Sequence, residues 1–456
     1  MSNDVYNQLK DILDPKRVFD SVEQRIASSY DASRRQSLPD VIIKPVNAKE
    51  ISGFLKFAYD NAIPVYSRGA ASSVTGSAVP IKGGFVLDTS LMNRIIEINP
   101  ANMTAVVEPG VVVAEFQREV ERQNLFYPPD PASAEFCTIG GNVATGAGGL
   151  RCIKYGTTRD YVLGLEMVLA DGRIIHTGKG TLKRVSGYDL TRLMIGSEGT
   201  LGVFTKINLK LIPRPLAQST IAAFFAEPDK AIRFSIDLLN KGILPRAMEY
   251  MDATSLKSVH KYKPELEVPP DARAMLLIEL DGAPNDVDEH TGQTRKLLHD
   301  ARPIMSKRAI SEKEAAYLWS IRKAISAALF SITAQKVSED ICVPRSAIPD
   351  ILKVIAEIEG SSGIPIATFG HLGDGNFHVN FLVSDKEHEN NLPSALNRLF
   401  TRTIELGGTL SGEHGIGLTK AKYFPLEWGQ EEIALFKGIK QLFDPKNILN
   451  PGKIFG

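Results

Sequence analysis

Cysteine is scarce in this 456-residue chain: it has three, Cys137, Cys152 and Cys342. They lie too far apart for a disulfide framework or an iron–sulfur ligand run. A redox enzyme built from this chain has to pass its electrons to another molecule. Net charge is missing too, with 53 basic against 53 acidic residues. No long basic tract marks a nucleic-acid partner. No apolar stretch approaches the length of a membrane-spanning helix. The N-terminal MSNDVYNQLKDILDPKRVF mixes both charge signs around no apolar centre, so no signal peptide is expected. The expectation is a soluble, cytoplasmic protein that meets a membrane only through a partner. Hydrophobic residues make up 43% and charged residues 23%, values of a globular chain long enough for two or three domains.

Histidine is sparse as well, eight in all, yet two fall within residues 370–381, GHLGDGNFHVNF. Gly373 and Gly375 let the backbone turn sharply, so His371 and His378 can come back toward each other. Past the turn, a two-residue period puts His378 and Asn380 on one face of a strand. Two imidazoles aimed at one point make half of a divalent-metal site. Residues 411–417, SGEHGIG, add Glu413 beside His414. Either loop alone also fits a glycine-rich turn with incidental histidines. Both loops in so histidine-poor a chain point to a catalytic metal.

The remaining chain falls into stretches of different texture. Asn47 caps a helix carrying Ile51, Phe54, Leu55 and Ala58 at helical spacing. A strand over 63–67 follows, then a loop of small residues at 68–76, RGAASSVTG. Its backbone N–H groups and the hydroxyls of Ser72, Ser73 and Thr75 suit an anion such as a diphosphate. A tight surface loop is the alternative. Neither a Walker sequence nor GxGxxG is present there. Residues 128–133, PPDPAS, are stiff and extended. Residues 138–149, TIGGNVATGAGG, are dense enough in glycine for backbone to lie flat against a large group. Asp171-Gly172 joins a hairpin, and alternation over 203–211 predicts a half-buried strand. Beyond Pro213 and Pro215 glycine thins and strands alternate with helices, among them one opened by the capping box Ser311–Glu314. An α+β layer domain is expected there. The last forty residues return to the glycine- and proline-marked texture of the first part.

These segments together resemble the FAD-binding superfamily of vanillyl-alcohol oxidase and p-cresol methylhydroxylase. The likeness runs from about residue 37 to the C-terminus through PVYSRG, PPDPAS, TIGGNVATGAGG, KYG, GSEGTLGV, GHLGDGNFHVNF, SGEHGIG and NPGK. The nearest branch is similar to glycolate oxidase flavoprotein subunits and D-lactate dehydrogenases, with D-2-hydroxyglutarate dehydrogenase as a cousin. The resemblance implies an α+β fold with a helical preface over 1–36 and a two-subdomain FAD module of the p-cresol methylhydroxylase type over 37–215. A cap over 216–410 carries the histidine motif, and 411–456 returns to the FAD module.

By the same resemblance, Arg68, Gly69, Ser72, Ser73, Thr75 and Gly76 wrap the FAD pyrophosphate. Pro129, Asp130, Thr138, Gly141, Asn142, Gly149, Gly156, Glu198, Gly202, Val203 and Asn450 line the cofactor. Relatives often have glycine where this chain has Ala71. No histidine lies in this loop, so non-covalent FAD is expected. His371, His378 and Glu413 match the family's ligands for a divalent metal, with zinc, manganese or iron all suited to the set. Arg322 matches the arginine that receives the substrate carboxylate, His414 the catalytic histidine, and Asn380 stands beside metal or substrate.

The implied reaction is oxidation of a small D-2-hydroxy acid, D-lactate or glycolate, with His414 as base and hydride transfer to flavin N5. The alternatives are D-2-hydroxyglutarate as substrate, direct use of oxygen, a non-catalytic FAD subunit of an electron-transfer complex, and a flavin-free zinc hydrolase. The electron acceptor is external: an electron-transfer flavoprotein, an iron–sulfur subunit, a cytochrome or a quinone. Nucleic acid is not a partner, and self-association into a homo-oligomer stays open.

Overall fold

The computed structural model describes residues 8, 9 and 12–455. The chain divides into two units, one of Met1–Gly148, Thr157–Arg214 and Glu413–Gly456, the other of Gly149–Gly156 and Pro215–Gly412.

The first unit contains two sheets. In one, the strand order is Val18–Phe19, Val41–Ile43, Phe85–Asp88, Val65–Arg68, and the last three run parallel. The parallel pairing needs a crossover, which the helix Ala48–Asp60 supplies. Asn47 caps it by accepting from Glu50 N at 3.0 Å, a bond worth about 1 kcal/mol. Ile51, Phe54, Leu55 and Ala58 then meet Val41, Ile43, Val65, Phe85 and Leu87 in one buried cluster. Each large side chain in it contributes roughly 1.5–3 kcal/mol. The N-terminal segment is not only helical. Val18–Phe19 adds an antiparallel edge strand, held by the Arg17–Glu50 ion pair at 2.5 Å.

The other sheet of this unit is antiparallel, in the order Ile95–Asn99, Thr104–Val107, Val203–Lys210, Val162–Val168, Ile174–His176. The glycine-dense stretch folds as the helix Ile139–Thr145, capped by Thr138 and ended by Gly146 at φ 67°. The C-terminal residues return to the same unit. Val65 N donates to Ile448 O at 2.7 Å, and Asn450 N donates to Val65 O at 2.8 Å.

The second unit is built on seven antiparallel strands, in the order Met305–Arg308, Ala217–Phe225, Ala274–Gly282, Ala247–Asp252, Ile366–His371, Asn376–Val383, Gln335–Cys342. Helices Ala253–Tyr262 and Glu312–Ala328 cover Ala222, Phe224, Met251, Leu277, Ala367, Phe369 and Leu382. Residues 149–156, assigned from sequence to the FAD domain, belong to this unit. The buried carboxylate of Asp281 explains why: it takes Lys154 Nζ at 2.5 Å and the Tyr155 hydroxyl at 2.8 Å. Among the described residues no helix is long and apolar enough to cross a membrane.

Candidate active site

Antiparallel register decides what gathers on the second sheet. Residues directly opposite each other share a face, and here Met251 faces Phe369, Glu249 faces His371, Phe369 faces His378, and Asp340 faces His378. The face that is apolar at Met251 and Phe369 therefore turns polar toward Glu249, His371, His378 and Asp340. The turn between the histidines needs glycine at 375: its φ is +81°, and a Cβ there would lie 2.1 Å from Val343 O. Asn376 in this turn donates to Asp340 Oδ1 at 2.6 Å, and Ser411 Oγ donates to Asp340 Oδ2 at 2.6 Å. Gly412 packs so closely on Asn376 that a Cβ would meet its Nδ2 at 2.3 Å.

His371 and His378 come together as expected. Their ring centroids are 5.4 Å apart at an interplanar angle of 87°, and a ligand atom of each lies within 4.8 Å of one on the other. Both are buried. His371 Nδ1 bonds Glu249 Oε1 at 2.5 Å, and Arg322 Nε donates to Glu249 Oε2 at 2.7 Å. Burial alone would raise the Glu249 carboxyl, but His371 and Arg322 outweigh it and bring it down to about 2. The Arg322 guanidinium also lies over Phe369, 4.6 Å from the ring centre. Its two terminal nitrogens make no hydrogen bond among the described residues. Asn380 donates to the carbonyls of Ala367 and His378 at 3.2 and 3.1 Å, and its buried Oδ1 accepts from no described residue.

Sequence reasoning missed Glu249. The available signal was a lone carboxylate on the strand face that carries Ala247 and Met251, since a charge is buried there only if it is paired. Asp340 was missed for the same reason.

In the first unit, the loop at 68–76 has the character of an anion cradle. The backbone N–H groups of residues 69–74 make no hydrogen bond among the described residues. Main-chain donors are rarely left so, and a run of them suits a diphosphate. Gly69 has no room for a side chain, since a Cβ would meet Thr138 Oγ1 at 2.4 Å. The hydroxyls of Ser73 and Thr75 bond each other at 2.9 Å. Lys453 Nζ donates to the carbonyls of Gly76 and Val79, both at 2.6 Å, and burial lowers this ammonium to about 7. Leu418 N donates to Thr75 O at 2.8 Å. The loop is thus held from behind, with its donors left over. Buried Asn142 Nδ2, Asn450 Oδ1, Ser197 Oγ and Tyr127 OH also lack partners among the described residues. This chain's residues fit a large polar cofactor such as FAD.

Other predicted cofactor residues serve the loops themselves. The Arg68 guanidinium donates to the carbonyls of Ala27, Ser28 and Tyr30, so its backbone is what remains for a ligand. Glu198, at φ 49°, accepts from Ile416 N at 2.8 Å and Gly417 N at 2.9 Å, and burial pushes its carboxyl up to about 7. Asn450 Nδ2 bridges the carbonyls of Ser77 and Glu198 at 3.0 and 2.6 Å. The Val203 side chain is buried in the core, and Gly202 admits Met167 Cε, which would lie 2.1 Å from a Cβ. Pro129 O accepts from Gln117 Nε2 at 2.8 Å, with Asp130 beside it. Thr138 caps Gly141 N at 3.2 Å. Gly149 and Gly156 lie in the second unit. Glu413 Oε1 is 3.5 Å from His414 Nε2, and both residues belong to the first unit.

A phosphate-type cradle in one unit and a histidine pair with a forked cation in the other are features of a flavin-dependent oxidoreductase. Comparison with known proteins narrows the class. The FAD binding domain model matches residues 39–178, and the model of the C-terminal domain of FAD linked oxidases matches residues 214–454. The chain belongs to the FAD linked oxidase family. It is 41% identical to the glycolate oxidase subunit GlcD of Bacillus subtilis, covering 100% of this chain and 97% of that one. It is 37% identical to a D-lactate dehydrogenase of Archaeoglobus fulgidus, covering 91% of each. Its fold is that of p-cresol methylhydroxylase, with a TM-score of 0.80 at 16% identity over 99% of this chain and 96% of that one. The 4-ethylphenol oxidase of Gulosibacter chungangensis gives 0.78 at 17% over the same shares.

Proposed function

We propose that this protein is an FAD-dependent dehydrogenase that oxidises a small D-2-hydroxy acid, D-lactate or glycolate, to the 2-oxo acid. The observation that carries the proposal is the state of Arg322: fixed through Nε, it has both terminal nitrogens left over. That fork matches a carboxylate bidentately. It stands beside His371, since both share Glu249. Relatives named for glycolate oxidation and D-lactate dehydrogenation support the substrate class.

Arg322 binds the substrate carboxylate and so orients C2. His414 takes the hydroxyl proton as general base. The buried Oδ1 of Asn380 is an acceptor for the bound ligand. His371, His378 and Glu413 would hold a divalent metal, zinc, manganese or iron, which would supply the positive charge that lowers the hydroxyl pKa. The two histidines already converge. FAD when bound supplies the acceptor of the C2 hydride. The substrate would thus lose one proton to His414 and one hydride to bound FAD, which balances formation of the 2-oxo acid.

Small substrates are favoured over 2-hydroxyglutarate. Ser338 stands opposite Asn380, and Lys336 Nζ, two residues away, is engaged by Ser326 Oγ at 2.8 Å. No cation is thereby offered to a second carboxylate by this strand. The three cysteines are free thiols, so a partner redox protein or a quinone takes the electrons. A turnover panel tests the proposal: D- and L-lactate, glycolate and D-2-hydroxyglutarate with an artificial acceptor dye, with and without chelator. D-lactate or glycolate turnover that chelator abolishes is expected. Chelator-resistant turnover, an L-acid preference, or peroxide release in place of dye reduction contradicts it.

A further inference from the structure

We propose that Glu249 is a positioning residue for this reaction, one carboxylate that sets the substrate-anchoring fork of Arg322 and the metal-binding ring of His371 in a fixed relation. The inference rests on the metal-assisted reading above and assigns a role to the carboxylate that Arg322 and His371 share.

The geometry is close and dry. Glu249 faces His371 across two antiparallel strands, with its side chain fully buried and those of Arg322 and His371 at 12% and 6% exposure. One oxygen accepts from Arg322 Nε at 2.7 Å and the other meets His371 Nδ1 at 2.5 Å. His371 meets this carboxylate through Nδ1, so Nε2 is the ring nitrogen that would ligate a metal. The same carboxylate fixes the guanidinium plane, whose other support is the Phe369 ring. Helix Glu312–Ala328 is itself registered on the sheet one turn earlier, where Trp319 Nε1 donates to Glu279 at 2.8 Å. The two oxygens of one planar group cannot move apart, so fork and imidazole keep their spacing together.

Glu249→Gln and Glu249→Asp separate this role from mere charge balance. Glutamine keeps the shape but turns an amide N–H toward one of the two donors, which breaks that contact. Aspartate keeps the charge but is too short to meet both donors. The experiment loads each protein with FAD, strips metal with chelator and titrates with Mn²⁺, then measures KM for D-lactate in the Mn²⁺-loaded protein. Both variants should bind Mn²⁺ about 10- to 100-fold more weakly and show a KM raised at least several-fold, with flavin content unchanged. Wild-type Mn²⁺ affinity and KM in either folded variant overturn the role of Glu249 alone. Equal Mn²⁺ affinity in wild type and His378→Ala overturns the metal-assisted reading and this proposal with it.

Discussion

Arg322 and Glu249 meet through a single pair of atoms, Nε to Oε2 at 2.7 Å, and this leaves the arginine half used. A lysine at 322 has one nitrogen for what Arg322 does with three. Arg322→Lys can neutralise Glu249 or bind a carboxylate, not both with correct geometry. A hydrogen bond to a charged group is worth about 1.5–3 kcal/mol, so KM for D-lactate should rise roughly 10- to 100-fold with flavin content unchanged. An unaltered KM in steady-state assays contradicts the anchoring role.

Ala71 adopts φ +51° in the cofactor loop, a left-handed conformation that costs an L side chain about 1–2 kcal/mol. Glycine adopts this conformation without that cost. Ala71→Gly should relieve the strain, offset in part by the freer unfolded chain. The net expectation is a gain of up to about 1 kcal/mol, seen as a higher denaturation midpoint of the flavin-loaded protein. A lower midpoint contradicts it.

Asp252 gives a pH signature. Burial pushes its carboxyl from an ordinary 3.8 up to about 6, although Ser255 N and Thr368 N donate to it at 2.8 and 2.6 Å. A raised folded-state pKa stabilises the native protein below the ordinary value, and that stabilisation is lost as pH rises through the folded value. Asparagine cannot ionise. Whatever its fixed offset at the helix cap, Asp252→Asn should gain on wild type as pH rises between about 4 and 6, and keep that gain above. Melting temperatures of both proteins across this range check it; a difference that is flat or runs the other way contradicts it.

The parts of the fold that could be read from sequence are those where one signal acts alone. Asn47 with Ile51, Phe54, Leu55 and Ala58 is such a case, and so are the Asp171-Gly172 hairpin and the strand past Gly375. The strand Ala247–Asp252 gave no alternation because it is buried on both faces, which erases the two-residue period. Glu249 disappeared with it. The helix Ile139–Thr145 was hidden by glycines that serve contacts, not flexibility: a Cβ on Gly140 would meet Pro109 Cβ at 2.5 Å. Arg322 looks like any helix arginine until the fold brings Glu249 to it from 73 residues away. The histidine pair was readable because the six residues between them turn back on themselves. Residues 149–156 changed units because their anchor, Asp281, lies more than a hundred residues downstream.

His378→Ala tests the central claim most directly. The flavin-loaded variant is mixed anaerobically with D-lactate while the flavin's visible absorption band is followed. Wild type should bleach within the mixing experiment. The variant should hold its full flavin spectrum, retain no tightly bound divalent metal after dialysis, and stay oxidised. Bleaching at the wild-type rate in metal-free His378→Ala would contradict the account.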